Sequence, residues 1–253
     1  MTKSLYKSIG IVGGLGPQAT IDMYQEIINN TVAKTDQEHI PVFISSIPHA
    51  PSRVKAILNN GETPVPDITK AISDLKRVGA EIIIIACNTA HYFQDEIEEK
   101  SNTKILSMVD ETLDLISTSY PNIKKVGLLG TNATIISGIF DKHNEIEILK
   151  PSNTTQENCV DKSIKLIKAG FIDNYTKSLL LEAIFELKNN GAEAIILGCT
   201  ELPLILKDSD TNIPLINPTK IVAKKAVEIA QLNIKDKPSL NLSKLFPRFV
   251  LEN

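Results

Sequence analysis

The chain has 253 residues, 42% of them hydrophobic, enough for one large domain or two small ones with cores of their own. A net charge of -3 with no long basic run, and 5% aromatics with no Trp, argue against nucleic acid or an anionic membrane as partner. Three cysteines, an odd number, point to reduced thiols in a cytoplasmic protein and away from a disulfide framework. The residues before Ile9 contain no apolar h-region, so no signal peptide is expected. The longest apolar stretch, residues 82–87, is far too short to span a bilayer.

Residues 7–13 read as a buried strand that runs into the turn Gly13-Gly14-Leu15-Gly16-Pro17-Gln18-Ala19-Thr20. The spacing Gly14-x-Gly16-x-x-Ala19 formally satisfies a dinucleotide fingerprint. The second strand, residues 42–45, ends in serines, whereas that site requires a ribose-binding acid. The other reading is a turn whose backbone amides approach a carboxylate where a helix starts near Pro17, and it is the one favoured. Arg53 follows the second strand, and nothing in its spacing separates it from a solvated surface charge.

Next comes an amphipathic helix with Ile68, Ala71, Ile72, Leu75 and Val78 on one face, stopping at Gly79. Gly79-Ala80-Glu81 leads into the apolar run Ile82-Ile83-Ile84-Ile85-Ala86 and on to Cys87-Asn88-Thr89. A further short strand is expected over residues 104–109.

Beyond Tyr120-Pro121 the order repeats. Residues 124–130 resemble residues 7–13. Leu179, Leu180, Ala183, Ile184 and Leu187 form the second amphipathic face, which ends at Gly191. Gly191-Ala192-Glu193 then leads through Ala194-Ile195-Ile196-Leu197-Gly198 to Cys199-Thr200-Glu201, with a short strand at residues 213–216. Strands alternating with helices imply βαβ units. The expectation is therefore two pseudo-symmetric flavodoxin-like α/β domains with parallel sheets, residues 1–119 and 120–216, and a cleft between them. A helix over residues 217–231 is free to pack back on the first half. The tail, residues 236–253, carries apolar anchors such as Leu245 and Phe249 that suit docking on the body or on a partner subunit.

A lone cysteine is more often a small core hydrophobe than a nucleophile. Cys159 fits that reading. Cys87 and Cys199 differ, because matched strand ends deliver both sulfurs to the edge where parallel sheets bind ligands. A helix starting just after each cysteine is expected to lower its thiol pKa. Two matched thiols in one cleft suit removal of a proton from one face of a carbon and its return to the other. His91 has two readings, biasing Cys87 toward thiolate or a helix-capping or packing role. The four histidines show no metal-ligand spacing, and no metal is expected.

The turn at residues 13–20, the segment Asp36-Gln37-Glu38-His39, and the signatures Cys87-Asn88-Thr89-Ala90-His91 and Gly198-Cys199-Thr200-Glu201 resemble the aspartate racemase group of the aspartate/glutamate racemases, over residues 9–230. The resemblance implies a racemase that interconverts L- and D-aspartate without a cofactor, usually as a homodimer, with Cys87 and Cys199 as its two bases. It also implies that Arg53 and Lys168 hold the side-chain carboxylate. Asn88, Thr89 and Thr200 then line the amino-acid head group, with Thr131 and the Leu15-Gly16 turn nearby. Leu15 stands where the family commonly has methionine and Ala86 where it often has proline, departures that bear on substrate breadth. The alternatives are a glutamate or broad-specificity racemase, or a non-catalytic two-lobed binder of a small dicarboxylate.

Overall fold

The computed structural model describes residues 6–142 and 145–231; His143 and the tail from residue 236 lie outside the described residues. In the first lobe β1 (Ile9–Gly13) is followed by α1 (Pro17–Asn30), β2 (Val42–Ser46), α2 (Arg53–Leu58), α3 (Val65–Arg77) and β3 (Ile82–Ile85). These strands pair in parallel in the order β2-β1-β3, with Ile9 opposite both Val42 and Ile82. Helices α4 (Gln94–Ser101) and α5 (Met108–Ser119) lead to β4 (Lys125–Leu129), α6 (Asn132–Ser137) and β5 (Glu147–Leu149). A helix of consecutive pieces follows: α7 (Asn153–Thr155), a π-helical turn (Gln156–Asp161) and α8 (Lys162–Lys168). The chain then runs through α9 (Asn174–Asn189), β6 (Ala194–Leu197), β7 (Leu215–Ile216) and α10 (Pro218–Gln231). The second sheet is parallel in the order β5-β4-β6-β7, the first sheet's order with one more strand.

The repeated Gly-Ala-Glu phrase does the same physical work twice. Gly79 and Gly191 have φ of 101° and 96°, a region that L side chains avoid. Each closes a Schellman turn: Gly79 and Ala80 donate to the Lys76 and Leu75 carbonyls, and Gly191 and Ala192 to those of Lys188 and Leu187. The following glutamate then ties the turn to its sheet. Glu81 Oε2 accepts the Ser8 N–H, and Glu193 Oε2 accepts the N–H groups of Lys124 and Lys125. The helix end and the start of the neighbouring strand are thus fixed together.

Val78 departs from the expected face. The Schellman turn ends α3 at Arg77 and swings Val78 out, leaving it 57% exposed, while Ile68, Ala71, Ile72 and Leu75 are buried. The strand expected over residues 104–109 is also a correction. Only Ile105 bridges to the sheet, opposite Ile83. Ser107 Oγ accepts the Asp110 N–H and caps α5, whose first turn carries Asp110 and Glu111, so Met108 and Val109 are helical. In the second half the strand over residues 213–216 contracts to Leu215–Ile216.

Each sheet is covered on both faces. On the first, α3 packs Ile68, Ile72 and Leu75 against Val12, Ile83 and Ile85. Its other face meets Met23 and Ile27 of α1 together with Val222, Ala226 and Val227 of α10. On the second, α9 supplies Leu180, Ile184 and Leu187, and the opposite face takes Val109, Leu113 and Ile116 of α5. Cys159, in the π-helical turn, is buried in that second core. No helix among the described residues is long and apolar enough to cross a membrane.

Candidate active site

Both cysteine strands end facing the same space. A cavity of about 50 Å³ is lined by Cys87, Asn88 and Thr89 from the loop after β3 and by Cys199, Thr200 and Glu201 from the loop after β6. Ser52, Arg53 and Val54 at the start of α2, Thr131 before α6, and Lys168 at the end of α8 complete its wall. The cysteine loops share a backbone turn. The Cys87 carbonyl accepts the Ala90 N–H at 3.3 Å, and the Cys199 carbonyl accepts the Leu202 N–H at 3.0 Å. Both cysteines are buried and free.

Arg53 reaches the cavity because Ser52 caps α2, its Oγ accepting the Lys55 N–H. The guanidinium is braced on main-chain carbonyls: Nη2 donates to Leu15 O at 2.8 Å and Nη1 to Pro51 O at 3.1 Å, while the buried Nε has no partner among the described residues. Leu15 and Gly16 are not among the residues that line the cavity. Leu15 holds Arg53 through its carbonyl, and a Cβ on Gly16 would collide with Glu201 Oε1. Asn88 is buried, and neither its amide oxygen nor its nitrogen has a partner among the described residues. Such a group costs on the order of 1–3 kcal/mol unless something binds it, and Asn88 lines the cavity. Thr89, Thr131 and Thr134 close a ring of buried hydroxyls across the lobes, with separations of 3.2, 2.9 and 3.0 Å.

Two expectations change here. No regular helix follows Cys199, only a short 3-10 turn at Leu202–Leu204. The Cys199 thiol instead donates to Glu201 Oε2 at 3.0 Å. Burial, then the Glu201 charge, push its pKa well above the ordinary range, and Lys168 opposes them only in part. The expected lowering at Cys199 is overturned. His91 adopts the capping and packing reading: Nε2 accepts the N–H of Met108, the first residue of α5, at 3.3 Å, so Nδ1 carries the proton and donates to Cys87 O at 2.9 Å. Burial drops its pKa to about 4, which leaves it neutral at pH 7, without a charge to offer the sulfur.

Glu201 is the residue that sequence reasoning passed over. It is 2% exposed, its Oε2 also accepts from Thr200 Oγ1 at 3.4 Å, and its Oε1 lies 3.4 Å from Lys168 Nζ. Burial would lower the Lys168 pKa, but the Cys199 sulfur, Glu201 and the Cys87 sulfur outweigh it and raise it. A larger groove of about 1010 Å³ lies elsewhere, lined in part by α1, α5 and α10, and holds none of the cysteines.

A family model for Asp/Glu/hydantoin racemases matches residues 12–226. The chain belongs to this family. It is 29% identical over 226 residues to the broad specificity amino-acid racemase RacX of Bacillus subtilis (strain 168), covering 87% of this chain and 96% of that protein. Among solved structures, Picrophilus torridus aspartate racemase superposes with a TM-score of 0.76 at 33% identity, over 88% of this chain and 94% of that one. Glutamate racemase from Francisella tularensis, solved with D-glutamate, shares the fold at a TM-score of 0.64 and 22% identity, over 93% of this chain and 85% of that one. The protein is thus an amino-acid racemase of the Asp/Glu racemase family, built on two parallel-sheet lobes.

Proposed function

We propose that this racemase interconverts L- and D-aspartate by a two-base mechanism that needs no cofactor. The observation that carries the reading is one cavity bounded by Cys87 and Cys199, with Arg53 and Lys168 in the same wall. One sulfur, as thiolate, takes the Cα proton, and the other, as thiol, delivers its proton to the opposite face. One proton enters and one leaves, so the sulfurs exchange protonation states in each turnover. The unpartnered Asn88 amide offers Nδ2–H to the α-carboxylate and Oδ1 to the ammonium group. The Asn88 Nδ2–H stays on that carboxylate as the carbanion's charge moves onto it, while Thr200 lines the same wall with its hydroxyl turned to Glu201. The acidity gap between Cα–H and a thiol spans several pKa units, each worth about 1.4 kcal/mol, so closure around the substrate is part of the mechanism. Arg53 and Lys168 anchor the β-carboxylate, and this remote binding energy fixes Cα between the sulfurs.

A broad-specificity reading is favoured by the similarity to RacX, and the two are separable. In D2O the wild type is expected to place deuterium at Cα of aspartate as it forms the other enantiomer. Cys87→Ala and Cys199→Ala are each expected to lose racemisation, and near wild-type turnover by either removes the two-thiol mechanism. Arg53→Ala is expected to weaken turnover of aspartate far more than of alanine, and equal losses favour the broader enzyme.

A further inference from the structure

The two lobes share a sheet order, a Schellman-capped helix and a cysteine, and their chemistry diverges two residues past the sulfur. In the first lobe that position is Thr89, whose hydroxyl joins the ring with Thr131 and Thr134 and bonds no sulfur there. In the second it is Glu201, whose Oε2 takes the Cys199 S–H at 3.0 Å. Glu201 is held in this pose from several sides. Thr200 Oγ1 donates to the same oxygen, Lys168 Nζ faces Oε1, and the Gly16 turn leaves just enough room for the carboxylate. An acceptor fixed against one sulfur and, among the described residues, missing at the other makes a duplicated site chemically lopsided.

We propose that Glu201 assigns the resting proton to Cys199, so that the free protein waits with Cys199 as the thiol and Cys87 as the sulfur that must act as base. The catalytic meaning of this assignment rests on the two-thiol reading above; the proton's location does not. Glu201 is a positioning residue here, acting through Cys199. The charged and titratable groups facing Cys199 are Glu201 on its own loop, Lys168 from α8, and Arg53 and Cys87 across the cavity. Glu201 favours the proton on Cys199 and Lys168 opposes it, while burial of the sulfur favours it throughout. After a turnover that begins in this form, the proton sits on Cys87 and the negative charge on Cys199, against the Glu201 carboxylate. That product form is the higher-energy free enzyme, and it relaxes by proton exchange.

Steady-state constants cannot reveal this asymmetry alone. Enantiomers have equal free energy, so kcat/KM must be equal in the two directions in every variant. Thiol reactivity in the resting protein is the appropriate probe, since only the thiolate is alkylated. The full chain, without amino acid, is treated with iodoacetamide across the neutral to alkaline range, and each cysteine peptide is followed by mass spectrometry. Glu201→Gln keeps the size of the side chain and removes its charge. It is expected to speed Cys199 alkylation roughly threefold or more, because a one-unit drop in pKa raises the thiolate fraction about tenfold and lowered nucleophilicity returns part of that.

Lys168→Met is expected to shift Cys199 in the opposite direction, slowing it. Cys159, buried in the second core, reports general loosening and is expected to stay unlabelled in both variants. An unchanged Cys199 rate in Glu201→Gln, or shifts of the same sign in both variants, overturns the proposal. Should Glu201→Gln not fold, Lys168→Met still decides, because its side chain is 41% exposed and a faster or unchanged Cys199 refutes the assignment. Labelling of this pattern in a protein that does not racemise aspartate would instead sink the functional reading and leave the proton where it is assigned.

Discussion

His91 is buried with both ring nitrogens engaged by main chain, so its environment has no room for a second proton. Protonation breaks the contact between Nε2 and the Met108 N–H and places a charge in the core. The pKa falls from the usual 6.5 to about 4, with burial as the first cause. The unfolded chain binds this proton below pH ~6.5 and the folded chain only below pH ~4, so stability rises with pH across that window. His91 alone therefore makes the protein about 3 kcal/mol less stable at pH 4 than at pH 7. Urea titrations at several pH values are expected to show that the gap in stability between wild type and His91→Gln moves by roughly this amount between pH 6.5 and 4. Parallel pH curves for the two proteins would show that the ring carries no such linkage. At the same scale, the sequence motif already contained the position that Glu201 occupies. Its role was illegible because a carboxylate beside a cysteine ordinarily reads as solvated, and only the Gly16 turn, distant in sequence, shows that it is enclosed.

Elements were the most readable level, and the physical reason is periodicity. Runs such as Ile82-Ile83-Ile84-Ile85 are buried on both faces, and the helices before them carry one apolar stripe. Misreadings cluster where a local cap overrides the pattern. Val78 continues the α3 stripe on paper, but the turn at Gly79 has already left the helix. Residues 104–109 look extended, but the Ser107 hydroxyl converts Met108 and Val109 to helix. The Schellman turns themselves are testable. A Cβ on Gly79 would meet no neighbour within 4 Å, so Gly79→Ala isolates the backbone cost of φ 101°. That substitution, and Gly191→Ala at φ 96°, are each expected to lower stability by about 1–2 kcal/mol while leaving racemisation intact. Denaturant midpoints check the first expectation and a racemisation assay the second. A neutral Gly79→Ala would mean that the helix end finds another cap.

At the scale of the whole molecule, helices cross between the lobes. A boundary at Tyr120-Pro121 assigns α5 to the first half, but Val109, Leu113 and Ile116 of α5 lie in the core of the second sheet. Reciprocally α10, the last described element, fills the first core with Val222, Ala223, Ala226, Val227 and Ala230. The first exchange was not readable from sequence, because an amphipathic stripe shows that a helix is covered without naming the sheet that covers it. Its consequence is cooperative. A fragment ending at residue 119 lacks α10, so α1 alone is left to cover that face of its sheet, while Val109, Leu113 and Ile116 of its α5 lose the core they fill. A fragment starting at residue 120 lacks α5 and leaves Val126, Leu128, Ala194 and Ile196 only the part of their cover that Ile139, Phe140 and Ile146 give. Burial at about 25 cal/mol per Å² makes the loss of one such helix comparable to the whole net stability of a domain. Neither fragment is expected to fold alone, as judged by dispersed NMR amide signals or a cooperative urea transition. The two expressed together are expected to recover both cores and, with the cavity rebuilt, racemisation. The intact chain is expected to unfold in one calorimetric transition whose van't Hoff and calorimetric enthalpies agree. Two separate transitions, or a natively folded 1–119 fragment, would show that the exchanged helices are ornaments on independent lobes.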